Sequence, residues 1–113
     1  MEDEVKSWLY DIGEAIREIE YFIPNPRVYD VFEKDIKTVR AVERNIEIIG
    51  EATNRILSKM PDIKITDSRK IVDTRNRVAH GYDSISKEVL WAIIINDLPK
   101  LKKEVAELLS EKK

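Results

Sequence analysis

Arg40-Ala41-Val42-Glu43-Arg44-Asn45-Ile46-Glu47-Ile48-Ile49-Gly50-Glu51-Ala52 reads as part of one long helix. Val42, Ile46 and Ile49 recur at steps of four and three residues, the spacing that puts side chains on one helix stripe. The stripe extends through Ile36, Val39, Thr53 and Ile56 to Met60-Pro61, where proline ends helical backbone. A helix that begins between Arg27 and Asp35 and carries those residues inward is therefore expected. Gly50 inside it costs about 1 kcal/mol against alanine, so close approach of another helix is its expected reason.

Upstream, Val5, Leu9, Ile12, Ile16, Ile19 and Ile23 form a second helical stripe. Pro24 and Pro26 stop that helix and bias the residues before them away from helix. Downstream, Thr66-Asp67-Ser68 offers N-cap side chains for a third helix, expected to run to about His80 and to stop at Gly81. A fourth would start at Ser86, with Glu88 near its positive end, and finish at Asn96-Asp97. Pro99 would open a fifth, from Leu98 to about Leu109, with Asp97 as its cap. Ile93-Ile94-Ile95 spreads apolar surface over roughly 200° of helix, which calls either for a central place in the bundle or for a second protomer.

Composition agrees with one helical domain. A chain of 113 residues with 3 glycines and 4 prolines has room for one modest core and little use for turn-rich β structure. The domain is expected to span residues 1–113. There is no cysteine, which excludes disulfides, zinc-thiolate sites and cysteine nucleophiles. One histidine and no acidic motif at ligand spacing give no sign of a catalytic metal. The acidic start Met1-Glu2-Asp3-Glu4 is unlike a signal peptide, and no run of apolar residues is long enough to span a membrane, so a cytoplasmic protein is expected. Sixteen isoleucines, many Lys and Glu, and no Gln lean toward a thermophilic source. The net charge of −2 argues against a general nucleic-acid coat protein.

The charge balance reverses between Lys64 and His80. There Lys64, Arg69, Lys70, Arg75 and Arg77 stand against Asp67 and Asp73, five bases to two acids, a pattern that a solvated helix face also gives. The stretch ends in Arg75-Asn76-Arg77-Val78-Ala79-His80-Gly81-Tyr82. A histidine moves a proton near neutral pH, and an arginine fork holds a phosphate and stabilises its growing charge. With the ribose 2′-hydroxyl as nucleophile, such groups would cut RNA, spare DNA and leave a 2′,3′-cyclic phosphate. The same residues have structural uses. A histidine near a helix C-terminus is stabilised as a cation by the dipole, Tyr82 could pack in the core, and Asp73 could either orient His80 or pair with Arg77. On an ideal helix Arg75 and His80 stand about 140° apart, whereas Asn76, Arg77 and Asp73 share the His80 face.

Arg75-x4-His80-x-Tyr82 resembles the motif of the HEPN superfamily, in the form of its HepT branch. Two further segments carry the resemblance: Arg40 to Ala52 is similar to that family's long second helix, and Trp91 through Asn96-Asp97-Leu98-Pro99 to its C-terminal region. The match covers most of residues 30–105. It implies an all-α, single-domain bundle of about five helices that dimerises with its motifs facing one another. It also implies a ribonuclease toxin with Arg75 and His80 catalytic and no metal or other cofactor, with Asn76 as polar support and Arg77 and Asp73, from the His80 face of the helix, in secondary supporting roles. The implied partners are RNA, a second copy of the chain and a small nucleotidyltransferase antitoxin of the MntA type. That partner would silence the toxin by adenylylating Tyr82. Arg75 is preferred to Arg77 on the resemblance alone. Acid-base cleavage needs one group to take a proton and another to give one. A two-fold axis would supply the second histidine that one chain lacks. The other reading of the same residues is a non-catalytic helical partner, or nucleotide-binding subunit, of a minimal nucleotidyltransferase.

Overall fold

The computed structural model of the chain describes residues 1–73 and 86–110. Helix α1 spans Asp3–Phe22 and buries Val5, Leu9, Ile12, Ile16 and Ile19, with Ile23 buried just beyond its end. Helix α2 is the short Tyr29–Lys34, and helix α3 runs Ile36–Lys59. Residues 68–73 are helical and are called α4. Helix α5 covers Lys87–Ala92, a π-helical turn covers Ile93–Asp97, and helix α6 covers Leu98–Ser110. Among the described residues there is no strand, so the fold is all-α, as the periodicity requires.

The core forms where α1 lies along α3 and α6 closes on α1. Val39, Val42, Ile46, Ile49, Thr53 and Ile56 of α3 all point inward, and the Thr53 hydroxyl satisfies itself on the Ile49 carbonyl at 2.7 Å. The buried stripes of α1 and α3 face each other, so the hydrophobic effect favours their pairing over exposure of either. At the far ends of the two helices Lys59 of α3 reaches Glu4 at 3.3 Å and Glu2 at 3.7 Å.

Three expectations need correction. Ile36 does not turn inward; it is 54% exposed, because Asp35 interrupts the helix there and caps α3, its carboxylate accepting from the Thr38 amide at 3.2 Å and the Thr38 hydroxyl at 2.7 Å. The helix that starts after Arg27 is thus two pieces, α2 and α3. Asp97 is not a cap either. The backbone stays helical from Ala92 through Ile93 to Leu98, so α5 and α6 form one rod with a π turn inside it. Of the three consecutive isoleucines, Ile93 and Ile94 are buried while Ile95 is 40% exposed, so the chain's own bundle covers one side of that run and leaves the other open. The start at Ser86 is as expected, its hydroxyl accepting from the Val89 amide at 3.2 Å.

Three aromatic residues form a packed cluster. Tyr29, Phe32 and Trp91 meet with ring centroids 5.3 to 6.4 Å apart and join α2 to α5. Among the described residues no helix is long and apolar enough to cross a membrane.

Candidate functional site

The motif residues Arg75, Asn76, Arg77, His80 and Tyr82 lie outside the described residues, as does the expected stop of the third helix at Gly81. Asp73 is the member of the proposed set that the structure places: it is the last described residue of α4 and is exposed. Val72 beside it is buried at 5% exposure, and Ile71 packs partly buried against the core of the bundle.

Polar contacts hold α4, the last described element before the motif. Before the helix, Thr66 donates its amide to Glu104 Oε1 at 3.1 Å and its hydroxyl to Glu104 Oε2 at 2.5 Å. Asp67 adopts φ 58°, the left-handed region that Asp and Asn tolerate better than most side chains. Its carbonyl accepts the first helical bond from the Ile71 amide at 3.1 Å, and its carboxylate lies 3.6 Å from Lys100. One turn on, Lys70 Nζ lies 3.0 Å from Asp97 Oδ2 in the π turn. The contacts to Glu104, Lys100 and Asp97 reach from α4 or the loop before it to the π turn or α6. The loop and helix that lead to Arg75 are therefore clamped along the C-terminal rod.

Between α4, α3 and that rod is a cavity of about 20 Å³, lined by Ile46, Ile49, Ile71, Ile93 and Leu101 together with Lys70 and Asp97. Lys70, Asp97 and Glu104 belong to no recognisable catalytic pattern, and sequence reasoning passed over their role. The available signal was Asn96-Asp97-Leu98-Pro99, where polar residues interrupt an apolar run. Among the described residues no three His, Cys, Asp or Glu side chains converge in the manner of a metal site.

Comparison with known proteins adds an independent line. The model of a family described as ribonuclease HepT-like matches residues 12–108. A protein of Methanocaldococcus jannaschii named "putative RNase" is 34% identical over 112 residues, which cover 96% of this chain and 89% of that one. A "probable ribonuclease HepT" of Thermococcus cleftensis is 36% identical over 107 residues, covering 91% of this chain and 94% of its own length. No solved structure gives a significant match.

Proposed function

The chain belongs to the HepT-like ribonuclease family, and from that premise we propose that it is a metal-independent RNA endonuclease acting as the toxin of a toxin-antitoxin pair. The observation that carries this reading is the span of the family match, residues 12–108, which contains the whole of Arg75 to Tyr82 together with the helices that lead to and from it.

In the proposed reaction His80 moves the proton of the ribose 2′-hydroxyl while Arg75 holds the scissile phosphate and stabilises its growing charge. Attack of the 2′-oxygen on phosphorus forms the cyclic phosphate and releases the 5′-oxygen, which takes up a proton. Asn76 and Arg77 support the phosphate, and Asp73, the exposed last described residue of α4, orients His80 or balances Arg77. The single histidine favours a homodimer in which the partner's His80 supplies the second proton-transfer group. The exposed face of Ile95 is consistent with a second protomer on the C-terminal rod. The antitoxin in this reading is a small MntA-like nucleotidyltransferase that adenylylates Tyr82.

The test is incubation of the purified protein with RNA in excess chelator, beside Arg75→Ala, Arg77→Ala and His80→Ala. Cleavage that survives the chelator and disappears in Arg75→Ala and His80→Ala supports the reading. RNA left intact by the wild-type protein, with retained binding to the nucleotidyltransferase, would replace it with the non-catalytic partner.

A further inference from the structure

A regular α-helix would carry Asp97 into the core. At about 100° per residue, Asp97 returns to within about 20° of the buried Leu90, whereas Leu98 would stand about 80° away. The π turn at Ile93–Asp97 absorbs one residue, so Leu98 resumes the stripe at 6% exposure and Asp97 moves to its edge. There its side chain, 14% exposed, meets Lys70 of α4. π turns are uncommon and frequently occur at functional positions. Ile71 of α4 is only partly buried against the core and borders a small cavity together with Lys70 and Asp97, so the Lys70–Asp97 pair adds a polar tie beside the apolar contact of α4 there.

We propose that Asp97 is a positioning residue for RNA cleavage: through Lys70 it fixes the orientation of α4, the element that precedes Arg75 and His80 in the chain. The inference rests on the ribonuclease reading above. Asp97 touches no reacting atom in this scheme. An ion pair with Lys70 59% exposed adds little to stability, so its value lies in geometry, where a misplacement of about 1 Å can lower a rate on the order of 100-fold.

The experiment compares wild type, Asp97→Asn, Asp97→Glu and Lys70→Met in RNA cleavage, with His80→Ala as the activity control. It also records the ring resonances of His80, the one histidine in the chain. Asp97→Asn and Lys70→Met are expected to lower kcat about tenfold or more with KM little changed, to leave the melting temperature within a few degrees of wild type, and to shift the His80 resonances. Asp97→Glu, which keeps the charge, is expected to retain most of kcat. Wild-type kcat in Asp97→Asn, or Asp97→Glu as impaired as Asp97→Asn, overturns the inference while the ribonuclease reading stands. If wild type and His80→Ala are equally inert on RNA, that reading fails instead. The His80 resonances then decide the positioning on their own, unmoved signals overturning it and shifted signals supporting it.

Discussion

Thr66 and Glu104 are joined through both oxygens of one carboxylate, the Thr66 amide donating to Oε1 and its hydroxyl to Oε2. The pair bridges 38 positions of sequence and ties the loop before α4 to α6. Replacing Glu104 with alanine removes both acceptors, which is expected to cost about 1 kcal/mol in urea unfolding and to speed amide exchange at Thr66. An unchanged exchange rate at Thr66 would show that the loop holds its shape without α6.

Asp67 occupies the left-handed region beside that contact. Glycine reaches this conformation without steric cost, so Asp67→Gly is expected to stay within about 0.5 kcal/mol of wild type, the backbone relief offsetting the lost Lys100 contact. Asp67→Val places a branched side chain where L-residues pay most and is expected to lose about 1 to 2 kcal/mol. Thermal melts of the two variants side by side check the ordering.

Asp35 gives a pH signature. The hydroxyl of Thr38, and then its amide, hold the Asp35 carboxyl below its ordinary value of 3.8. A carboxyl depressed in the folded state stabilises it above the unfolded value and loses that contribution as pH falls through the folded one. Asp35→Ala is expected to melt below wild type at pH 7, and the gap should narrow as pH drops below 3.8. Lys59 has the opposite sign. Glu4 first, and then Glu2, raise its pKa above 10.5, so its contribution holds at neutral pH and fades in strong alkali. Circular dichroism melts across pH separate the two ends of the range.

Tyr82 carries the regulatory prediction. Each added nucleotide would bring a phosphate and a purine within two residues of His80, where the arginines would pair with the phosphate and the bulk would obstruct RNA. Tyr82→Phe is expected to cleave RNA as wild type does and to escape silencing by the cognate nucleotidyltransferase with ATP. Intact mass and peptide mapping, scored beside cleavage, decide it. Tyr10 and Tyr21, 60% and 81% exposed, offer the same phenol and serve as internal controls. Modification at either one, or undiminished cleavage by protein modified at Tyr82, removes the switch.

What the sequence determined alone is local. The stripes Val5 to Ile19 and Val39 to Ile56 lie inward as their three- and four-residue steps require, because which face of a helix is apolar is written in neighbouring positions. The Ser86 cap was legible for the same reason; Arg75, His80 and Tyr82, read from residue types, spacing and family resemblance, lie outside the described residues. The tertiary structure decided what depends on partners distant in the chain. Ile36 has the correct spacing yet stays exposed, because Asp35 ends one helix and begins another at that point. Asp97 has the composition of a helix cap yet sits inside a continuous rod, because a π turn moves Leu98 into the core and leaves the carboxylate facing Lys70. Neither Lys70 nor Glu104 is marked by any local pattern as the residue that steadies α4. Long-range electrostatic and packing contacts select among conformations that local spacing leaves equally open, and they exist only once the helices have come together.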